Sequence, residues 1–137
     1  MSAQIGRIAR GWVGTPYRHM AARKGAGCDC LGLVRGVWAE RRGEAPVPVP
    51  PYSADWRVGG HDLDAALAEV LARHEGAPHA GLVAVFRLRR GLAPRHCGIL
   101  VSPDRFVHAQ EGLGVVEARL EGSWGRRLAG LFAFPEE

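Results

Sequence analysis

The order of apolar and polar residues divides the chain into two stretches of different period. In residues 3–14, Ile5, Ile8, Trp12 and Val13 recur at near-helical spacing, which predicts a short amphipathic helix. Pro16 disfavours helix at the residue before it, so Gly14-Thr15-Pro16-Tyr17 marks the end of that helix. A polar, glycine-bearing loop is expected over residues 18–27. Leu31, Leu33, Val34, Val37 and Trp38 then predict a second helix reaching about Arg42. Gly32 and Gly36 lie four apart on one face of it. Each costs about 1 kcal/mol of helix propensity, so close packing against another element is the expected reason for both. Pro46, Pro48, Pro50 and Pro51, with Tyr52 and Trp56, predict a loop over 43–60 that wraps the surface and borders a cleft. Leu63, Leu67, Val70 and Leu71 predict a third helix over 62–74.

From Leu82 onward the pattern is that of strands. Candidates are 82–88, 96–101, 105–110, 115–119 and 131–134, separated by Gly, Pro and Asp. Helices first and antiparallel strands second predict an α+β fold. At 137 residues the chain has a common size for one domain, and a single domain over 1–137 is expected.

Composition narrows the partners. The apolar share of 47% supports a core, and the charged share of 23% is ordinary for a globular protein. The net charge of +4 comes from basic residues scattered along the chain, without the interleaved aromatics of a nucleic-acid platform, so no nucleic-acid partner is expected. With no apolar run of about 18 residues, no membrane-spanning helix is expected. Gln4, Arg7 and Arg10 interrupt the N-terminus, so no secretory signal is expected either, and an extracellular substrate would require another route of delivery. Three cysteines, Cys28, Cys30 and Cys97, are an odd count and read as reduced thiols.

Cys30 stands where the glycine-bearing loop turns into the second helix. A helix N-terminus stabilises a thiolate by its dipole, and its N–H groups can point at a developing oxyanion. Asp29 is a suitable N-cap. The bland alternative is a small buried thiol at a helix start. A nucleophile needs a base from elsewhere in the fold, and the strand region offers His96 and His108, both within apolar strand patterns. A three-residue loop over 102–104 sets Gly98 opposite His108 and places His96 diagonally, on the same face. His96 is then the candidate general base, with His108 orienting it by accepting the proton on its other nitrogen.

The chain resembles the NlpC family of bacterial cell-wall cysteine peptidases. The resemblance is carried by Trp12-Val13-Gly14-Thr15-Pro16-Tyr17, Asp29-Cys30-Leu31-Gly32-Leu33-Val34, His96-Cys97-Gly98-Ile99 and Val107-His108-Ala109, in the family's order. It implies a papain-like fold, with the nucleophile at a helix N-terminus packed on a C-terminal antiparallel sheet. It further implies a Cys30-His96-His108 triad, hydrolysis of peptidoglycan stem peptides next to γ-linked D-glutamate, and no metal or organic cofactor. Tyr17 resembles the family's tyrosine beside the nucleophile, which binds substrate or steadies the oxyanion. Asp29 resembles its acidic neighbour, which could meet a substrate amino group. Two departures stand out: Leu31 replaces the serine that usually follows the nucleophile, and Ala80-Gly81-Leu82 replaces the usual Gly-Asp before the first core strand. The form Cys28-Asp29-Cys30-Leu31-Gly32 is similar to versions carried by phages and gene-transfer particles. That implies phage-like tail proteins as partners and action at the wall after synthesis in the cytoplasm.

Competing readings are an amidase or acyltransferase on the same scaffold, a non-catalytic tail-assembly module, and a zinc site built from Cys28, Cys30, His96 and His108. The Cys28-x-Cys30 spacing is tighter than paired zinc cysteines favour. Cys28 reads as inert packing or a redox-sensitive thiol, and Cys97 as core facing away from His96. His19 reads as surface at the cleft edge, His61, His74 and His79 as solvated, and Trp124 as a cover for the sheet end without a chemical role.

Overall fold

The computed structural model describes residues 2–44, 63–89 and 91–135. The N-terminal apolar spacing forms α1 (Ser2–Arg10), which buries Ile5 and Ala9. The helix stops earlier than its apolar pattern suggests, because residues 12–15 close tighter turns: Trp12 N–H donates to the Ala9 carbonyl and Val13 N–H to that of Arg10. Trp12 remains buried, whereas Val13 is turned out to solvent.

The segment after it is tied to the sheet. Gly14 N–H donates to the Val115 carbonyl, and Val115 N–H returns a bond to Thr15. The buried Thr15 hydroxyl accepts from Gly25 N–H. Within the expected loop 18–27 the chain makes a small hairpin, β1 (Ala22–Arg23) paired antiparallel with β2 (Gly27–Cys28), and Tyr17 bridges to Cys28. Two-residue strands have no periodicity to read, which is why the pattern showed only a loop.

The second helix is α2 (Cys30–Arg42), capped by Asp29 and closed by the left-handed Gly43, as helix ends favour. The expected reason for its two glycines holds. A side chain at Gly32 would overlap the Ala21 carbonyl, and one at Gly36 would overlap the Trp12 ring. The loop expected over 43–60 lies outside the described residues from position 45, as do Asp62 and His61.

The third helix is shorter than expected. Only α3 (Leu63–Ala68) is helical, and Val70 is exposed. Leu63, Leu67 and Leu71 are buried as the spacing requires, but Ala72 and Arg73 leave the helix to form β3 (Ala72–Arg73). The backbone bonds that β3 gains from a sheet edge outweigh another half-turn of helix.

The sheet is completed by β4 (Val83–Arg87), β5 (Pro94–Ser102), β6 (Arg105–Gln110), β7 (Gly114–Arg119) and β8 (Leu128–Ala133). Its order is β3-β8-β4-β5-β6-β7, with every neighbouring pair antiparallel. Between β7 and β8 stands a helix the sequence did not announce, α4 (Gly122–Arg127). Alternation along the strands produces two apolar faces. Val83, Val85, Cys97, Ile99 and Val107 pack with the helices α1 and α2, while Leu82, Ala84, Phe86, Leu100 and Phe106 pack on the opposite face beneath Trp124 and Leu128. No helix among the described residues is long and apolar enough to cross a membrane.

Candidate active site

Three elements bring the site together: the capped start of α2, strand β5 and strand β6. Asp29 Oδ1 accepts from Gly32 N–H and Oδ2 from Met20 N–H, each at 2.7 Å. The cap therefore fixes the first turn of α2 and also the loop before it, where Met20 adopts a left-handed φ of 64°. Its side chain is only 3% exposed, with His19 Nδ1 3.7 Å from Oδ2. Both carboxylate oxygens serve backbone donors, so this geometry supports a positioning role for Asp29 rather than an open binding group for an amine. His19 lies on the surface beside it, as expected.

Cys30 is the first residue of α2 and is 9% exposed. Its thiol is lowered from the ordinary 9.0 to about 5. The first cause is the hydrogen bond from the Cys97 thiol. Burial opposes ionisation, and the hydrogen bond and charge of His96 favour it further. Cys97 Sγ also lies 3.4 Å from the Cys30 carbonyl oxygen. Cys97 is core facing away from His96, as expected; the structure puts it on the face of β5 that meets α2, where it does more than fill space.

His96 stands opposite Phe86 of β4, near an irregularity in the β4–β5 register. Its Nε2 lies 2.8 Å from Nδ1 of His108, with the rings edge to face and their centroids 5.0 Å apart. One bond joining two imidazole nitrogens needs one donor and one acceptor. His108 is 1% exposed, and its basicity is lowered from 6.5 to about 3, first by burial and then by the charges of His96 and Arg127. It is therefore held toward the neutral form, and when His96 is protonated on both nitrogens its Nε2–H donates and His108 Nδ1 accepts. His96 Nδ1 is the nitrogen that does not face His108.

The two rings share a side for the reason expected, through a slightly different turn. The β5–β6 connection is the two-residue turn Pro103-Asp104, and a register shift between Leu100 and Ser102 restores the parity that a three-residue loop would have given. Ile99 consequently pairs with Val107. A side chain at Gly98 would press on His108 and on the Val107 carbonyl, so the absence of one permits the approach.

Tyr17 is half-buried beside Cys28, with its phenol raised from 10.0 to about 12 by burial and then by the nearby charges of Cys30 and Asp29. It therefore keeps its O–H proton. Leu31 packs partly buried against the main core. Cys28 is fully buried, and burial raises its thiol to about 12, so it has the character of inert packing. His74 and His79 pack edge to face with each other on the connection between β3 and β4. Among the described residues, no group of three or more His, Cys, Asp or Glu side chains is arranged to hold a metal ion.

Trp124 covers the sheet face, as expected, and in doing so lies against both rings, a contact the sequence pattern did not show. Its ring centroid is 4.9 Å from that of His108 and 5.6 Å from that of His96. The available signal was a lone tryptophan among Gly, Ser and Arg, one turn before the last strand.

No match to this chain is found among the curated proteins. Solved structures share the fold. The NlpC/p60 domain of the peptidoglycan hydrolase SagA has a TM-score of 0.64 at 19% identity, covering 98% of this chain and 99% of that one. A Staphylococcus aureus protein described as similar to a lipoprotein of the NLP/P60 family has a TM-score of 0.64 at 21% identity, over 99% of this chain and 42% of that one. A Bacillus cereus NlpC/P60 family protein has a TM-score of 0.68 at 14% identity, over 98% of this chain and 40% of that one. The chain thus spans the SagA domain but under half the length of the other two. These likenesses carry the papain-like α+β architecture, and the NlpC/P60 family itself is matched over residues 14–131. This chain belongs to the NlpC/P60 family.

Proposed function

We propose that this protein is a cysteine peptidase that hydrolyses peptidoglycan stem peptides next to γ-linked D-glutamate. The observation that carries the reading is the relay itself: Cys30 at the capped start of α2, its thiol lowered by Cys97 and His96, and His96 Nε2 2.8 Å from His108 Nδ1. In the first step the thiolate attacks the scissile carbonyl carbon. The resulting oxyanion is met by N–H groups at the start of α2 and by the Tyr17 hydroxyl. His96 then gives its proton to the leaving amine as the C–N bond breaks, forming a thioester. Finally His96 takes a proton from water, the hydroxide attacks the thioester, and the Cys30 thiolate is released. His108 accepts the Nε2–H bond throughout and keeps the ring facing the sulfur. Asp29 acts through the turn it fixes. The wall-facing substrate comes from family membership, with SagA as a named peptidoglycan hydrolase of this fold.

The test is digestion of purified peptidoglycan and of synthetic stem peptides, with products weighed by mass spectrometry. We expect cleavage after γ-D-glutamate, loss of at least a thousandfold in rate in Cys30→Ser and in His96→Ala, and inactivation by iodoacetamide with the label on Cys30. Label on Cys97 alone accompanying inactivation, or full activity in Cys30→Ser, would remove the proposal. We further place the enzyme in a phage-like or gene-transfer particle. That placement predicts co-sedimentation with tail proteins in particle preparations, and its absence from such particles would refute it.

A further inference from the structure

On the sheet face away from α1 and α2, the indole of Trp124 covers both histidines of the relay. It is tilted 34° over His96 and stands edge-on to His108 at 71°. The same ring meets Phe86 at 5.1 Å and Phe106 at 5.3 Å, while Phe106 packs 4.7 Å from His108. Arg127, one helical turn on, holds its guanidinium 4.1 Å from the indole centroid, and its Nε donates to the Ser123 carbonyl. A cation this close to the ring clamps it against the sheet.

We propose that Trp124, clamped by Arg127, is a positioning residue that keeps water from the His96–His108 pair and so holds His108 as the neutral acceptor of the His96 proton. The inference rests on the catalytic reading of Cys30, His96 and His108. Its physical basis is that a second imidazolium would repel the first, and would also lose the acceptor that stabilises it. A dry pocket prevents His108 from charging. Among the described residues, the charged or titratable groups acting on His108 are His96 from β5 and Arg127 from α4, while its β7 partner is the apolar Val116. No carboxylate among the described residues offsets these two. Opening the pocket to water would return His108 toward its ordinary basicity of 6.5, so that it would charge in the range where the Cys30–His96 ion pair must exist.

The test compares Trp124→Ala, Trp124→Leu, Trp124→Phe and Arg127→Gln with the parent protein. Three quantities are followed against pH: peptide release from peptidoglycan, the rate of Cys30 alkylation by iodoacetamide, and the His108 ring signals by nitrogen-15 NMR. In Trp124→Ala and Trp124→Leu we expect His108 to titrate near neutrality and the acid limb of both rates to rise by about one pH unit, about a tenfold loss on that limb. Trp124→Phe restores the parent profile, and Arg127→Gln shifts it the same way by less. If Trp124→Ala does not fold, the leucine and glutamine variants carry the test. A His108 that stays neutral to pH 4 in folded Trp124→Leu, with an unmoved acid limb, would reduce Trp124 to packing and overturn the inference. Failure of the peptidase reading is separately visible as full activity in Cys30→Ser, and the His108 titration reports on the indole cover in either case.

Discussion

At the scale of single residues, the chemistry of Cys30 comes from opposing effects. Burial alone would raise its thiol, as it raises that of Cys28 two positions earlier to about 12, yet Cys30 is lowered to about 5. What separates the two sulfurs is hydrogen bonding: Cys97 and His96 serve Cys30, while the causes acting on Cys28 are burial and nearby negative charge. Cys97 is therefore open to a sharp test. Cys97→Val removes the donor and should raise the pH midpoint of Cys30 alkylation by about one unit. Cys97→Ser keeps a donor at similar volume and should leave it near the parent value. Equal midpoints in the two variants would show that His96 alone ionises the sulfur. The adjacency of Cys97 to His96 was plain in the sequence, and alternation turned its side chain away from His96 into the core. Its meeting with Cys30 was not visible, because that depends on how far along β5 the helix start comes to rest.

At the scale of elements, the start of α2 is built from parts the sequence displays. Asp29 before an apolar helical run reads as a cap, and the two interior glycines read as contact points; the structure uses all three so. Asp29→Ala leaves Met20 N–H and Gly32 N–H without their carboxylate. It should cost about 2 kcal/mol or more in urea unfolding, at the high end for a lost cap, because one donor belongs to a second segment. Asp29→Asn keeps one acceptor oxygen and should recover part of that loss. A loss below about 0.5 kcal/mol in Asp29→Ala would mean that water replaces both bonds. The parts that were not legible share a physical character. The strands β1, β2 and β3 are two residues long, and their conformation is set by partners rather than by local pattern. Helix α4 buries none of its residues and carries one large apolar side chain, so its place is decided by the rings beneath Trp124. The third helix was extended too far because Leu71 is buried at helical spacing even where the backbone has begun to leave the helix.

At the scale of the whole molecule, a sulfur presented by the helix side meets an imidazole backed by a ring buried under the opposite face. This arrangement makes stability depend on acid through His108. The unfolded chain protonates this ring near 6.5 and the native chain only near 3, so between those values the unfolded state holds more protons. Native stability contributed by His108 is complete above about pH 6.5 and is lost as pH falls toward 3, amounting to about 3 kcal/mol at pH 4. Cys30 adds a slope of the same sign at higher pH, because its native thiol ionises near 5 against an ordinary 9.0. Placing the comparison in a Cys30→Ser background removes that contribution. In that background, urea unfolding at pH 7 and pH 4 should show His108→Gln losing about 3 kcal/mol less than its His108 counterpart, since glutamine takes no proton in either state. Equal losses would mean that His108 takes a proton within the native fold, and the dry, neutral acceptor on which the relay depends would not exist.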